Sequence, residues 1–577
     1  MKTIKAWLAT IATLLCSLTA SAADFSIGGI FYNIISDTEL TVEVTHHGNY
    51  SDNYKGAVTI PSAITYRGKV YRVKSIGSYA FYNCPNLTSV VIPEGVTSIG
   101  DKAFEYNRNL TSITIPASVT EIGSMAFYDT AWLDKQPDGV VYAGKVLYDY
   151  KGTMPRNTSI EIKEGTASIA QGAFSRCSTL VFITIPESVI SIGSSAFYNC
   201  SSLYEIAIPD GVTEVGYDAF EGSGWYKNQP DGVVYAGKVL YDYKGTMPEN
   251  TSIEVKKGTT SIAERAFSGC SNLTSIILPD AVTSIGEYAF DGCGSLTSIT
   301  LPDDVTSIGD YAFDGCTSLI SITLPEHLTS IGGSVFYGCS SLSEITIPDG
   351  VTEIGWSAFS GCSSLVSINI PSSVTEIGNG AFWNTPWYDN LGDGLVYINN
   401  VLHQYKGAME YNTSIEVREG TVSISPCAFY GSLSNCNSLK SVTIPASVIK
   451  IGSQAFDNCR SLRTVNFAEN SKLTTIEHGA FLDCWSLTSI NIPQSVVSID
   501  NSVFARCSDL ANVTLPEDMT VIASSMFADC SKLKAIDIPK NVVCIGDRAF
   551  EGCSKLTTIT IPNGVTKIRD GAFEDCI

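Results

Sequence analysis

Long apolar runs, basic side chains and histidines are all scarce in this chain of 577 residues. After residue 22, no stretch approaches the ~20 consecutive apolar residues that a transmembrane helix needs. Lys and Arg number 36 against 58 Asp and Glu, giving a formal charge of −22 at pH 7. A surface of this sign repels a phosphate backbone. The sequence therefore predicts no transmembrane segment and no nucleic-acid partner.

The motifs of common catalytic and metal sites are missing as well. The five histidines are scattered, and neither His-Glu-x-x-His nor Gly-x-Ser-x-Gly occurs. No Cys-x-x-Cys or Cys/His spacing suits zinc, and there is no Asp-x-Asp-x-Asp-Gly calcium loop. We therefore expect no catalytic residues, no metal and no cofactor, so the chain is not expected to be an enzyme.

The first 22 residues have the pattern of a secretory signal. Two lysines precede an apolar run from 6 to 18, which Ala20-Ser21-Ala22 closes, so cleavage is expected after residue 22. The mature chain is therefore expected to be exported. Lipidation at Cys16 is an alternative route to anchoring, although Leu15 stands where a bacterial lipobox has a small residue.

A repeat with a basic period of 23 residues fills most of the remaining chain. Phe follows Ala or another small residue in 19 copies, from Phe81 to Phe573. The regular unit, as it begins at Cys293, reads C-x-x-L-x-x-I-x-I-P-x-x-V-T-x-I-G-x-x-A-F-x-x. A period in the low twenties is typical of leucine-rich repeats.

The spacing within one unit predicts one turn of a solenoid. Leu296, Ile299 and Leu301 alternate with polar residues, as in a strand with one buried face. Pro302 lacks an amide donor and ends that strand. Gly309 is expected to take a positive φ at a corner, before a helical or 3₁₀ turn. No turn could bury its apolar residues alone, so the prediction is a stack of about 19 coils with a parallel concave sheet.

The motifs L-T-S-I-T-I-P, V-T-S-I-G and A-F-x-x-C together resemble the BspA-like, or Treponema-type, leucine-rich repeats of bacterial surface proteins. The resemblance covers residues 76–577. Residues 23–75 resemble the β-rich segment that precedes such arrays, which would cap the open edge of the first coil. The resemblance implies a bacterial cell-surface or secreted protein that adheres to host matrix proteins or to other microbes.

Three intervals between consecutive repeat Phe residues are 47 residues long, which is 24 more than the basic period. These insertions lie near 131–156, 224–249 and 386–411, and the first two share the run QPDGVVYAGKVLYDYKGTMP. Two apolar-aromatic segments flank Ala143-Gly144-Lys145 and predict a β-hairpin.

The aromatic residues of the insertions are the candidate ligand-binding residues, because Trp and Tyr dominate binding hot spots. The alternative is that the hairpins fold back and the rings seal the core, since large aromatic side chains are mostly buried. The candidates are Trp132, Tyr142, Tyr148, Tyr150, Trp225, Tyr235, Tyr241, Tyr243, Trp387, Tyr397 and Tyr405.

Fourteen of the 18 cysteines lie three residues after a repeat Phe and so form one column. Side chains that point the same way from parallel strands have poor disulfide geometry, which predicts buried thiols. At the insertions this position is instead Thr130, Ser223 or Thr385. Cys427 and Cys544 lie off the column, and their redox state stays open.

Two functions are compatible with these patterns. The first is adhesion to extracellular proteins through the sheet and the insertions, with many weak contacts adding up. The second is a structural surface component that self-associates through the C-terminal coil, 556–568, whose edge has no polar cap. Carbohydrate binding on the sheet has weaker support, from the outward-facing Phe182 and Tyr204.

Overall fold

The computed structural model describes residues 23–36, 38–46, 54–430 and 436–576, so the predicted signal and Cys16 lie outside the described residues. The chain forms a solenoid in which most turns carry a strand of three to six residues and a second strand of two residues. Within each sheet of the solenoid, strands of successive turns pair in parallel. The predicted leucine-rich-repeat solenoid is therefore confirmed.

The longer strands form what we call the long-strand face. Within it, Ile299 is buried and pairs with Ile322, whereas Ser298 and Thr300 on either side are exposed. The period-2 alternation of the sequence therefore sets which side chains enter the core. The strands are Gly56–Thr59, Leu87–Val91, Ser112–Thr114, Thr158–Glu161, Leu180–Thr184, Glu205–Ala207, Thr251–Glu254, Leu273–Ile277, Ser298–Thr300, Ser321–Thr323, Glu344–Thr346, Ser367–Asn369, Thr413–Glu416, Leu439–Ile444, Thr464–Phe467, Ser489–Asn491 and Asn512–Thr514.

The Val-Thr-x-Ile-Gly segments form a second parallel sheet, the short-strand face. Ser307–Ile308 pairs with Ser284–Ile285, so this part of the turn is a true ladder. The strands are Ser98–Ile99, Glu121–Ile122, Ser168–Ile169, Ser191–Ile192, Glu214–Val215, Ser261–Ile262, Ser284–Ile285, Ser307–Ile308, Ser330–Ile331, Glu353–Ile354, Glu376–Ile377, Ser423–Ile424, Lys450–Ile451, Thr475–Ile476, Ser498–Ile499, Val521–Ile522, Cys544–Ile545 and Lys567–Ile568.

The corner of each turn differs from the prediction at its glycine. Gly309 does not have a positive φ; Tyr311 and Gly315 do, at 59° and 65°. A Cβ at Gly309 would lie 2.5 Å from the backbone nitrogen of Glu287 in the preceding turn. The glycine is therefore needed because successive turns approach closely there, and the prediction of a positive φ was wrong.

Columns of stacked phenylalanine rings run through the core between the insertions. The ring of Phe313 stacks on Phe290 and Phe336 with centroid distances of 5.2 and 5.6 Å and interplanar angles of 4°. All three rings are fully buried. Each turn thus shields the apolar residues of its neighbours, as the repeat arrangement requires.

The three predicted hairpins are present, and each also adds a turn to the stack. In the first, Gly139–Ala143 pairs antiparallel with Val146–Lys151, which in turn pairs in parallel with Ser168–Ile169. Tyr150 donates its backbone N–H to Ala173 just as a repeat Phe does. The other hairpins are Gly232–Ala236 with Val239–Lys244 and Gly394–Ile398 with Val401–Lys406. One-turn helices precede them at Ala131–Asp134, Gly224–Lys227 and Pro386–Asp389, and a 3₁₀ turn occupies Cys436–Ser438.

The N-terminal segment extends the short-strand face. Thr41–Thr45 pairs in parallel with Lys69–Ile76, which pairs with Ser98–Ile99 of the first regular turn. Strands Phe25–Ile27, Ile30–Ser36 and Ala63–Tyr66 complete its mixed sheet.

The same segment also contacts the C-terminal turns. The Arg67 guanidinium donates to the backbone carbonyls of Ser495 and Val496 at 3.1 and 3.0 Å, and the Ser26 amide donates to Thr520 Oγ1 at 3.0 Å. We call these the closure contacts. Since they join parts of the chain more than 400 residues apart, they close the curve of the solenoid.

Apolar packing accompanies the closure contacts. Val521 and Cys544, from two C-terminal short strands, are buried in the same cluster as Phe25 and Tyr66. The short-strand faces of the two ends therefore meet each other. Short-strand residues from Glu43 to Gly309 line one shared hollow, so this face lies on the inner, concave side of the solenoid. The parallel concave sheet is therefore formed by the short strands, and the long-strand face lies away from the closure.

We expect Phe313→Ala to destabilise its own part of the stack. Removing a fully buried ring leaves a cavity and costs ~3–5 kcal/mol. Native-state hydrogen exchange of the turns between 290 and 336 should show this loss. The control is Phe182→Ala, whose ring is 48% exposed and should change the same quantity by less than ~0.5 kcal/mol. Equal losses in both variants would contradict the ring column as a source of stability.

We also expect Arg67→Glu to open the solenoid. The new carboxylate would face two carbonyl oxygens and Asp518, whose Oδ2 lies 3.9 Å from the Arg67 guanidinium. Small-angle X-ray scattering should then report a larger radius of gyration. Arg108→Glu is the control, because Arg108 is exposed and bonds only Asp129 of a neighbouring turn. An unchanged radius in the Arg67 variant would count against the closure in solution.

Candidate functional site

Each insertion begins with a helix cap at the position of the column cysteine. Thr130 Oγ1 accepts from the Leu133 amide at 3.2 Å and donates to the Phe127 carbonyl at 2.7 Å. Ser223 and Thr385 cap their helices in the same way. A hydroxyl can serve both bonds and a thiol serves them poorly, which accounts for the change of residue.

A lysine then ties each helix to its hairpin. The Lys151 ammonium donates to the carbonyl oxygens of Asp134 and Gln136, the latter at 2.7 Å. Lys244 and Lys406 make the equivalent bonds. These lysines were not among the predicted site residues, although their recurrence in the diverged third copy is a signal that could have found them. The hairpins are therefore held against the solenoid.

Three of the eleven candidate aromatic residues are buried: Tyr148, Trp225 and Tyr241. The Tyr148 hydroxyl accepts a hydrogen bond from the Phe127 amide at 3.0 Å. In regular turns, the amide of the repeat Phe donates to a backbone carbonyl of the next turn instead. Burial raises the pKa of the Tyr148 phenol well above its ordinary value. These three rings extend the core.

The other eight candidates are half-buried. They are Trp132, Tyr142, Tyr150, Tyr235, Tyr243, Trp387, Tyr397 and Tyr405. The Tyr142 hydroxyl accepts from the amide of Lys163, which replaces the repeat proline, at 3.0 Å. In the third copy, Arg418 lies over the Tyr397 ring at 4.3 Å from its centroid. Each hairpin holds its own rings, and the eleven candidates do not form one cluster.

The long-strand face carries a separate set of exposed apolar side chains. Its outward positions are mostly Ser, Thr and a few Glu, so large apolar residues stand out there. Phe182 and Tyr204 were predicted to face outward, whereas the aliphatic members of the set were not; an apolar residue in place of the usual Ser or Thr is the signal that could have found them. The set comprises Val91, Phe182, Tyr204, Ile277, Ile320 and Val366.

Most thiols of the cysteine column are buried, and Cys177, Cys270 and Cys576 are half-buried. Cys293 Sγ donates to the carbonyl of Phe267 in the preceding turn at 3.3 Å. Among the described residues no cysteine is in a disulfide. Cys436 follows a lengthened interval after Phe429, so its spacing did not place it in the column, yet it is buried and lies close enough to Cys459 to add to the rise that burial causes in the pKa of that thiol. Cys427 and Cys544 are buried as well.

The described residues contain no cluster of three or more His, Cys, Asp or Glu side chains that could hold a metal ion. Burial lowers the pKa of both His46 and His403 to about 4, so these imidazoles are neutral at pH 7. In the described ranges, no helix has the length and apolar character needed to cross a bilayer.

The family model described as a BspA type leucine rich repeat region matches residues 71–136, 150–228, 260–387, 404–472, 422–553 and 469–577. The chain belongs to the BspA-type leucine-rich repeat family. No curated protein matches it.

Several solved structures are similar to this BspA-type chain. A leucine-rich repeat protein from Bacteroides ovatus is 24% identical over 96% of this chain and 92% of its own, with a TM-score of 0.25. A leucine rich cell surface protein from Faecalibacterium prausnitzii is 22% identical over the same shares, with a TM-score of 0.22. A leucine-rich repeat protein from Eubacterium ventriosum is 19% identical over 95% and 98%, with a TM-score of 0.22.

The thiol column of this BspA-type chain predicts a loss of stability at alkaline pH. Burial raises the pKa of Cys177 and Cys270 to about 11 and of Cys362 to about 12. An unfolded thiol titrates near ~8.5, so the folded state keeps protons that the unfolded state releases. The stabilisation is complete below pH ~8.5 and is lost as the pH rises towards the folded pKa values.

Urea unfolding between pH 8 and 10 measures this effect, before tyrosine and lysine titration dominates. A variant with alanine at Cys200, Cys362 and Cys553 should lose stability less steeply with pH, because those thiols have pKa values raised to about 12. Equal slopes in variant and parent would refute the prediction.

Proposed function

We propose that the protein is exported and binds extracellular proteins through the long-strand face of its solenoid, as an adhesin. The observation that carries the proposal is the exposed apolar set on that face, represented by Phe182, Tyr204 and Ile277. The closure contacts lie on the inner side of the solenoid, so they leave the long-strand face uncovered. Contiguous exposed apolar patches mark protein contact sites, and Phe182 and Tyr204 are neighbours in adjacent turns.

The long-strand face is long enough to make many weak contacts with one partner. Neighbouring parallel strands lie ~4.8 Å apart, so its 17 strands extend over roughly 80 Å. Exposed apolar residues occur from Val91 to Val366, separated by hydroxyl-bearing rows. A partner with repeated features could engage several of them at once, and avidity would then exceed the affinity of any single contact.

The aromatic rings of the hairpins add a smaller contribution to the proposed binding. Trp132 and Trp387 pack against repeat Phe rings but keep part of their surface accessible. Such rigid, half-exposed aromatic rings are suited to add contact area at little entropic cost. Host matrix proteins and other bacterial surfaces are the partners that we propose for both regions.

We further propose that the chain acts as a scaffold without a catalytic centre, located at the bacterial cell surface or secreted. The pattern of residues 1–22 supports export, and family membership supports a role in protein binding. Detection of the protein in surface and culture fractions, compared with a variant lacking the apolar run 6–18, tests the location.

Binding of the purified chain 23–577 to an array of matrix proteins, mucins and glycans tests the function. A face variant with Phe182→Ser, Tyr204→Ser and Ile277→Thr should bind a protein partner at least about tenfold more weakly. A hairpin variant with Trp132→Leu and Trp387→Leu should show a smaller loss.

The matched control replaces three exposed side chains in the Phe-bearing turns instead, with Met125→Ser, Tyr128→Ser and Tyr217→Ser. It should bind like the parent. Parent-like binding by the face variant would reject the long-strand face as the contact surface. No binding by the parent, together with concentration-dependent polymers in sedimentation, would favour the self-associating surface component.

A further inference from the structure

The inner side of the solenoid changes at the third insertion. In the regular turns on either side of this insertion, the first residue of the short strand is polar, as in Glu353, Glu376 and Lys450. In the inserted turn that position is Val401, and neither Val401 nor Leu402 lines the space in front of it. The Ser423 hydroxyl, in the turn after the inserted one, donates to the carbonyl of Thr375 in the turn before it. The inserted turn is therefore set back, leaving a cavity of about 250 Å³ between its neighbours.

An indole ring lies on one side of this cavity. Trp356 is half-buried, and a Cβ on Gly333 would come within 2.5 Å of its ring, so only glycine in the preceding turn admits the ring there. The Tyr311 ring meets it edge to face, with centroids 5.3 Å apart. No described residue accepts a hydrogen bond from Trp356 Nε1. The ring is thus fixed in position while its donor is available.

A buried amide also lines the cavity without a partner. Asn379 is only 7% exposed, and its side chain makes no hydrogen bond to any described residue. The Asn379 amide therefore offers two hydrogen-bond donors and an acceptor to a molecule in the cavity.

Three carboxylates and one ammonium line the cavity. The Lys450 ammonium lies 2.7 Å from Glu376 Oε2 and 2.8 Å from Glu477 Oε1, and Glu477 also accepts from the Ser453 amide. This network fixes two carboxylates in position as hydrogen-bond acceptors, and Glu353 adds a third. The hydroxyl groups of a ligand can donate to these carboxylates.

We propose that the cavity formed by Trp356, Asn379 and the Lys450 network binds a single sugar unit. The C–H face of a sugar ring packs on an indole, and its hydroxyls both donate to carboxylates and accept from amides. The volume lies below the ~300–1,000 Å³ of pockets that hold drug-sized ligands, which limits the occupant to about one ring. This site lies on the inner side and goes beyond the protein binding proposed for the long-strand face.

Saturation-transfer NMR and calorimetry with the full mature chain test the proposal. The probes are free glucose, galactose, mannose, fucose, N-acetylglucosamine and N-acetylgalactosamine, with L-arginine amide as a cationic comparison. At least one sugar should bind with millimolar affinity. Asn379→Ala and Trp356→Ala should each weaken binding about tenfold or more. Trp485→Phe is the control, since Trp485 is exposed and lies in another turn.

Three results would overturn the proposal. These are binding of none of the sugars, binding of arginine amide in their place, and sugar binding that survives both cavity variants. Thermal melting of each variant guards against loss of fold, and Asn379→Ala changes the least structure. The long-strand variant with Phe182→Ser, Tyr204→Ser and Ile277→Thr should bind sugar like the parent. Failure of the adhesin proposal and failure of the sugar site are therefore distinguishable.

Discussion

Stacking between successive turns is the interaction on which the rest of the structure depends. A single turn leaves its Leu, Ile and Phe side chains open on two sides, and only the turns above and below can cover them. The backbone enforces the same order, because the amide of Phe313 donates to the carbonyl of Val335 one turn later. Each position of the repeat is therefore repeated as a column along the solenoid. A residue is tolerated only if it fits against its own counterparts.

The need to fit against counterparts in the neighbouring turns also explains the departures from the repeat. Asn107 replaces the column cysteine and donates to the Phe81 carbonyl, the same type of acceptor that Cys293 uses at Phe267. The insertions add nearly one period of residues, so the register survives them, and Tyr150 enters the Phe column beside Phe174. Where a lysine replaces the repeat proline, its amide becomes a donor, and a tyrosine hydroxyl from the hairpin accepts from it. Each exception preserves the hydrogen bonds that stacking requires.

The local structure could be predicted from the sequence because it is set by spacing that recurs 19 times. The long strands, their inward faces and the thiol column follow from it, whereas the short-strand ladder was not predicted. The closure could not be predicted, because it depends on a small rotation between turns that accumulates over the whole array. Contacts such as Arg67 with Val496 join residues that no sequence pattern relates. The exposure of the candidate rings could not be predicted either, because Tyr148 and Tyr142 lie in one hairpin and yet differ in burial.

The same reasoning indicates where specificity can arise in such a molecule. A residue that every turn repeats serves stacking, and it presents the same chemistry at every turn. Recognition of one partner needs residues that differ from their counterparts in neighbouring turns but still allow the turns to pack on one another. Phe182 does so among the hydroxyl-bearing outward rows, and Trp356 does so where Gly333 leaves room for its ring. Binding sites of this solenoid are therefore expected at irregular positions on its surfaces, while the regular positions supply the rigidity that holds those side chains in place.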